Sequence, residues 1–131
     1  ILELIPAARV GFVGLYRDPE TLTPVQYYFK VPTQLEDRVV IVVDDGLATG
    51  ATMIAALHSV RSRHPRHLVC AVPVASPDSL GKVRASADEV VCLETPFGFH
   101  AVGQFYRTFG QVEDAEVVAT LAGRNSHESI R

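Results

Sequence analysis

An α/β fold, with a parallel sheet flanked by helices and an antiparallel hairpin near the N-terminus, follows from three features of the sequence. The run Val39-Val40-Ile41-Val42-Val43 is wholly β-branched and has no polar alternation, as expected of a central strand covered on both faces in a parallel sheet. From there to residue 93 the apolar segments alternate in type as strand, helix, strand, helix, strand, the order that winds a parallel sheet. Ahead of them, two segments rich in branched and aromatic residues flank Arg17-Asp18-Pro19, which reads as two strands and a turn.

Taken in order, residues 9–16 and 26–31 are the predicted hairpin strands, and the Asp, Pro and Thr residues between them suit the connection. After the strand at 39–43 comes a glycine-containing loop. Met53, Leu57 and Val60 then fall at i, i+4 and i+7 with Ile54 beside them, which predicts a helix ending before His64-Pro65. Residues 68–74 predict another buried strand. Ser76-Pro77-Asp78 is a helix start ahead of Leu80 and Val83, and residues 89–93 give a further strand. Residues 113–121 carry Val117, Val118 and Leu121 on one stripe and read as a closing helix. A chain of 131 residues suits one core. One domain is expected over residues 1–122, followed by a polar, aperiodic and flexible tail over residues 123–131.

Composition narrows the function. Hydrophobic residues are 47% of the chain and charged residues 21%, an ordinary globular mixture. A formal net charge of -3 supplies no positive field for a nucleic-acid backbone. The apolar runs are short and interrupted, and no basic stretch leads an apolar one as in a signal peptide, so a cytoplasmic location away from the membrane is expected. Cys70 and Cys92 lie in strand-like runs without metal or disulfide spacing and read as small core residues. His58, His64, His67, His100 and His127 form no pair on one helix face, so no structural metal is expected.

The chemistry gathers where a parallel strand gives way to a helix, the place where open α/β sheets bind ligands. Gly46 and Gly50 allow the loop backbone to turn its N–H groups inward, Thr49 and Thr52 add hydroxyls, and the following helix contributes its positive dipole end. Such a cup suits a phosphate. No Lys follows Gly50, so this is not a Walker A loop, and a monophosphate ester fits better than a triphosphate. Asp44 and Asp45 precede the cup, where carboxylates can accept hydrogen bonds from ribose hydroxyls or meet a divalent cation. Together these groups describe a ribose 5-phosphate site.

Two acidic residues after an apolar strand, then Gly46-Leu47-Ala48-Thr49-Gly50-Ala51-Thr52, resemble the 5-phosphoribosyl 1-pyrophosphate motif of type I phosphoribosyltransferases. The resemblance implies that Asp44 and Asp45 act catalytically, hold the ribose 2- and 3-hydroxyls and meet Mg²⁺, that Gly46 to Thr52 wrap the 5-phosphate, and that Mg²⁺ accompanies the pyrophosphate. The implied reaction transfers the phosphoribosyl group to a nucleobase, uracil or another, through an oxocarbenium-like state with release of pyrophosphate. Residues 1–32, with Leu4-Ile5-Pro6, Gly14-Leu15-Tyr16-Arg17-Asp18-Pro19 and Pro24-Val25-Gln26-Tyr27-Tyr28, are similar to bacterial uracil phosphoribosyltransferases. From Arg38 onward the likeness shifts: uracil enzymes usually carry a single Asp followed by Pro in the motif. The Asp44-Asp45-Gly46 sequence, Leu93-Glu94-Thr95-Pro96 and Gly103-Gln104-Phe105-Tyr106 resemble phosphoribosyltransferase-domain proteins instead. A mosaic, a chimera or a fragment would each give this pattern. The glycine- and proline-rich C-terminal segment with which uracil enzymes grip the base is not found in these residues, and the family's first strand and pyrophosphate loop are expected to be missing ahead of Ile1.

Arg17 and Lys30 are candidate cations for a pyrophosphate, with a solvated hairpin as the plainer reading of both. Phe97, Phe99, Phe105, Tyr106 and Phe109 could stack on a base or simply pack. A homodimer is expected, with the hairpin from residue 17 to residue 30 reaching toward the other subunit. The main alternative is a regulatory protein of the same fold that binds a phosphoribosyl ligand without turnover. A receiver-like domain would need a Lys at a later strand end, and the ends near Val74 and Leu93 have none.

Overall fold

Residues 12 to 30 fold back on themselves as the turn chemistry implies. In the computed structural model, which describes residues 2–128, β1 (Phe12–Arg17) and β2 (Pro24–Lys30) run antiparallel, with Phe12 opposite Lys30 and Arg17 opposite Pro24. The Asp18 carboxylate accepts the N–H groups of Glu20 and Thr21 at 2.8 and 2.9 Å, closing the connection. Ile1 and residues 129–131 lie outside the described residues, as do the side chains of Leu121 and His127.

The second sheet is fully parallel. It consists of β3 (Val39–Val43), β4 (His67–Val74) and β5 (Glu89–Glu94) in the order β3-β4-β5. Helix α1 (Ala51–Arg61) connects β3 to β4, and α2 (Pro77–Val83) connects β4 to β5. Ser76 caps α2 as its sequence suggests, its Oγ accepting the Ser79 N–H at 3.2 Å, with Pro77 in the first turn. Met53, Ala56, Leu57 and Val60 form the buried stripe of α1.

One expectation is overturned. The central strand is β4, while β3 forms an edge among the described residues, and it is covered on one face only. Val40 and Val42 pack with Leu57, Leu68, Cys70, Val72, Leu80 and Val83 in the core. Val39, Ile41 and Val43 are 51%, 53% and 55% exposed. Both helices contribute their apolar stripes to the first of these faces, and no described element covers the second. An apolar groove of about 750 Å³ lies between β3 and β1, lined by Val13, Leu15, Ile41 and Met53 among others.

The hairpin packs against the same core through Val13, Phe29 and Val31, and the Arg63 guanidinium sits 5.1 Å from the Phe29 ring centroid. At the far end of α1, Arg61 pairs with Asp88 at 2.9 Å, and Asp88 also accepts the Leu68 N–H at 2.7 Å. After β5 the chain forms a 3₁₀ turn (Val102–Phe105) and then α3 (Asp114–Glu128). The helix continues past Leu121, so the part of the polar segment from Gly123 to Glu128 is helical.

Candidate functional site

The loop after β3 is held by the next strand and helix. The Leu47 N–H donates to the Val74 carbonyl at 3.0 Å, and the Leu47 carbonyl accepts from the buried Ser79 hydroxyl at 3.1 Å. Leu47 is 2% exposed, so its side chain belongs to the core and only its backbone serves the loop. Gly46 is fixed by close approach: a Cβ there would lie 2.8 Å from Val102 Cγ1 and 3.0 Å from Val74 Cγ1. Gly50 has φ +80° at the N-cap of α1, a backbone state that favours glycine. It brings no side-chain acceptor, and no acidic residue occupies the first turn of the helix. The positive end of α1 is therefore open to an anion.

Around this loop lies a cavity of about 150 Å³ lined by Asp44, Gly46, Leu47, Ala48, Thr49, Gly50, Thr52, Met53, Val102 and Arg17. Arg17 comes from the end of β1, and its guanidinium reaches Thr49 Oγ1 at 3.4 Å and the Leu22 carbonyl at 3.5 Å. The hairpin thus delivers a cation across the mouth of the cup, in place of the Lys that a Walker A loop would supply. Lys30 is not among the lining residues and stands at the opposite end of the hairpin from Arg17. Asp45 and Ala51 are not lining residues either. Asp45 is exposed beside the cup, and the Ala51 N–H donates to Thr49 Oγ1 at 3.4 Å.

Asp44 has a carboxyl raised above its ordinary 3.8, first by burial and further by the neighbouring charge of Asp45, against the opposing effect of the hydrogen bond from the Asp45 N–H at 2.9 Å. A cationic group would relieve that cost. The thiol of Cys70 is pushed up to about 11, chiefly by burial, which keeps it protonated and inert in the core. His67 faces Asp88 and Glu89 at 3.9 and 3.4 Å, away from the loop.

Sequence reasoning singled out the aromatic residues after β5 as rings that stack on a base or pack, but it did not anticipate the contacts of Val102 and Tyr106 with the loop. Val102 closes one wall of the cavity. The Tyr106 hydroxyl donates to the Asp45 carbonyl at 2.6 Å. The aromatic residues divide into two pairs, Phe99 with Phe105 and Tyr106 with Phe109, each with ring centroids 5.2 Å apart, while Phe97 is fully exposed. The early signals were the aromatic density of the segment and the resemblance carried by Gly103-Gln104-Phe105-Tyr106.

A family model described as uracil phosphoribosyltransferase matches residues 1–94, from the N-terminal segment through the loop to the end of β5. The chain belongs to the uracil phosphoribosyltransferase family. The match continues across residues 32 to 38, so it takes in the Asp44-Asp45 loop as well as the hairpin. A uracil phosphoribosyltransferase of Paracoccus denitrificans is 53% identical over 90 residues, covering 69% of this chain and 43% of that protein. One of Anoxybacillus flavithermus is 47% identical over the same length and shares. The chain therefore spans less than half the length of these curated relatives. Among solved structures, TT1426 from Thermus thermophilus superposes with a TM-score of 0.60 at 50% identity, covering 67% of this chain and 42% of that one. AQ2163 from Aquifex aeolicus gives 0.62 at 31% identity, covering 70% and 45%.

Proposed function

We propose that this chain carries the phosphoribosyl-binding site of an enzyme that transfers the phosphoribosyl group of 5-phosphoribosyl 1-pyrophosphate to uracil and releases pyrophosphate. The observation that carries the reading is the cup itself, in which the Arg17 guanidinium and the Thr49 hydroxyl meet at 3.4 Å over the open N-terminus of α1. In this reading the 5-phosphate replaces that contact, taking hydrogen bonds from Arg17, Thr49, Thr52 and the loop N–H groups. Asp44 and Asp45 accept the ribose hydroxyls and stabilise the positive charge that develops at the sugar. Leu47 and Ala51 serve through the backbone.

Asp44 and Asp45 fit Mg²⁺ as a partial shell. No cluster of three or more His, Cys, Asp or Glu suited to a metal occurs among the described residues, and Mg²⁺ is ordinarily held by one or two carboxylates with substrate phosphates and water. When bound, it would offset charge on the departing pyrophosphate. Among the described residues no helix is long and apolar enough to cross a membrane; a cytoplasmic salvage role is part of the same proposal. A homodimer formed through the hairpin completes the reading.

Titration with ribose 5-phosphate, followed through backbone amide shifts, tests the site. The amides of Gly46 through Thr52 are expected to move first and furthest. Shifts confined to other parts of the chain would refute the reading.

A further inference from the structure

We propose that Tyr106 is a positioning residue for the phosphate cup, fixing the peptide that joins Asp45 to Gly46. This rests on the reading of the loop as a phosphoribosyl site, and it concerns a residue beyond the segment that the family model matches. The Tyr106 hydroxyl donates to the Asp45 carbonyl at 2.6 Å. A trans peptide is planar, so its carbonyl and the following N–H point in opposite directions. The phenol that takes the Asp45 carbonyl therefore also sets the direction of the Gly46 N–H, and Gly46 lines the cavity. From the other side of the same residue, the Asp45 N–H is held by the Asp44 carboxylate at 2.9 Å. Asp45 is thus restrained at both of its backbone polar groups, which fixes the point at which its carboxylate leaves the chain.

The segment that presents Tyr106 is built to hold it. Gln104 ties the segment together, accepting the His100 N–H at 3.1 Å and donating to the Gly98 carbonyl at 3.2 Å. The Tyr106 N–H donates to the Gly103 carbonyl at 3.3 Å. The Phe109 ring lies against both Tyr106 and Gly103, where a Cβ would come within 2.6 Å of it. Val102 packs over Gly46 so closely that no side chain fits between them. Two contacts from one short segment, Val102 on Gly46 and Tyr106 on Asp45, therefore fall on the two residues that open the cup.

The test compares Tyr106→Phe with Phe97→Leu, a change at a fully exposed ring of the same segment, by amide spectroscopy of the free protein and by calorimetric titration with ribose 5-phosphate. In Tyr106→Phe the Gly46 amide is expected to shift severalfold more than those of Leu68 and Cys70 in β4, and ribose 5-phosphate affinity to fall about fivefold, the effect of one neutral hydrogen bond. Phe97→Leu is expected to leave the Gly46 amide near its original position. A Gly46 amide unmoved by Tyr106→Phe, or moved equally by Phe97→Leu, overturns the positioning role. Failure of the unaltered protein to bind ribose 5-phosphate overturns the functional reading instead, and the Gly46 shift in the free protein still decides whether Tyr106 orients the peptide.

Discussion

At Asp44, burial and the neighbouring Asp45 both oppose ionisation, so the folded chain holds its proton more tightly than the unfolded chain does. Stability from that difference is fully present below the ordinary carboxylate value and is lost as pH rises through the folded value. Asp88 has the opposite sign. Hydrogen bonds from Arg61 and Leu68 lower its carboxyl, so its contribution is present above the ordinary value and disappears as pH falls through the lowered one. Asp44→Asn is therefore expected to raise the melting temperature at neutral pH and Asp88→Asn to lower it, with both differences vanishing in strong acid; thermal unfolding across pH checks this. A raised melting temperature combined with weaker ligand binding would identify Asp44 as a residue kept at a cost to stability. The ligand roles separate in the same way. Asp44→Asn and Asp45→Asn should weaken ribose 5-phosphate binding by about tenfold to a hundredfold, as expected for a lost charged hydrogen bond, and leave inorganic phosphate binding nearly intact. Thr49→Ala should weaken both ligands, because the Thr49 hydroxyl can donate to the phosphate that they share, whereas the Asp44 carboxylate on the same cavity wall can only accept. If the aspartate variants lose inorganic phosphate as severely as ribose 5-phosphate without unfolding, the division of labour is wrong.

The strand-loop-helix unit owes its shape to contacts from well beyond it, and those are what a linear reading misses. Gly46 could be recognised as a loop glycine, but the reason it must be glycine is Val102, far along the chain. Gly46→Ala is expected to cost about 1–3 kcal/mol, as overpacking does, and Gly46→Ala combined with Val102→Ala to recover most of that in urea unfolding. No recovery would mean that Val74, on the other side of Gly46, sets the limit. Local signals fared better: Ser76-Pro77 marked the start of α2 because capping depends on neighbours in sequence, and the stripe of α1 was visible as a period. The order of the sheet was not visible, because a β-branched run has the same appearance at an edge as at the centre. The meeting of Arg17 with Thr49 and of Tyr106 with Asp45 was hidden for a related reason: each joins elements whose packing no local pattern encodes.

Among the described residues, two of the apolar surfaces that stay open differ in their chemistry. One is the outer face of the parallel sheet, with Val39, Ile41, Val43, Val91 and Leu93 exposed. The other is on the hairpin, where the rings of Tyr16 and Tyr27 lie 6.1 Å apart and Phe12 and Tyr28 are also exposed. Subunit interfaces favour aromatic residues, tyrosine among them, because a large rigid ring with a polar tip binds well at small entropic cost, whereas Val and Leu are under-represented among the residues that dominate binding. Aliphatic strand faces are instead the surfaces that sheets cover within a domain. The proposed homodimer is therefore expected to form through the hairpin, which already holds Arg17 against its own cup and would so couple such an interface to the proposed phosphate site through a single strand. Sedimentation of Tyr27→Lys and Ile41→Lys distinguishes the two surfaces. A charge at Tyr27, 70% exposed, should convert the dimer to monomer, while a charge at Ile41 should leave the dimer intact, since Ile41 faces the open sheet. The reverse pattern would move the interface to the sheet, and an unaltered chain that stays monomeric at high micromolar concentration would remove the dimer altogether.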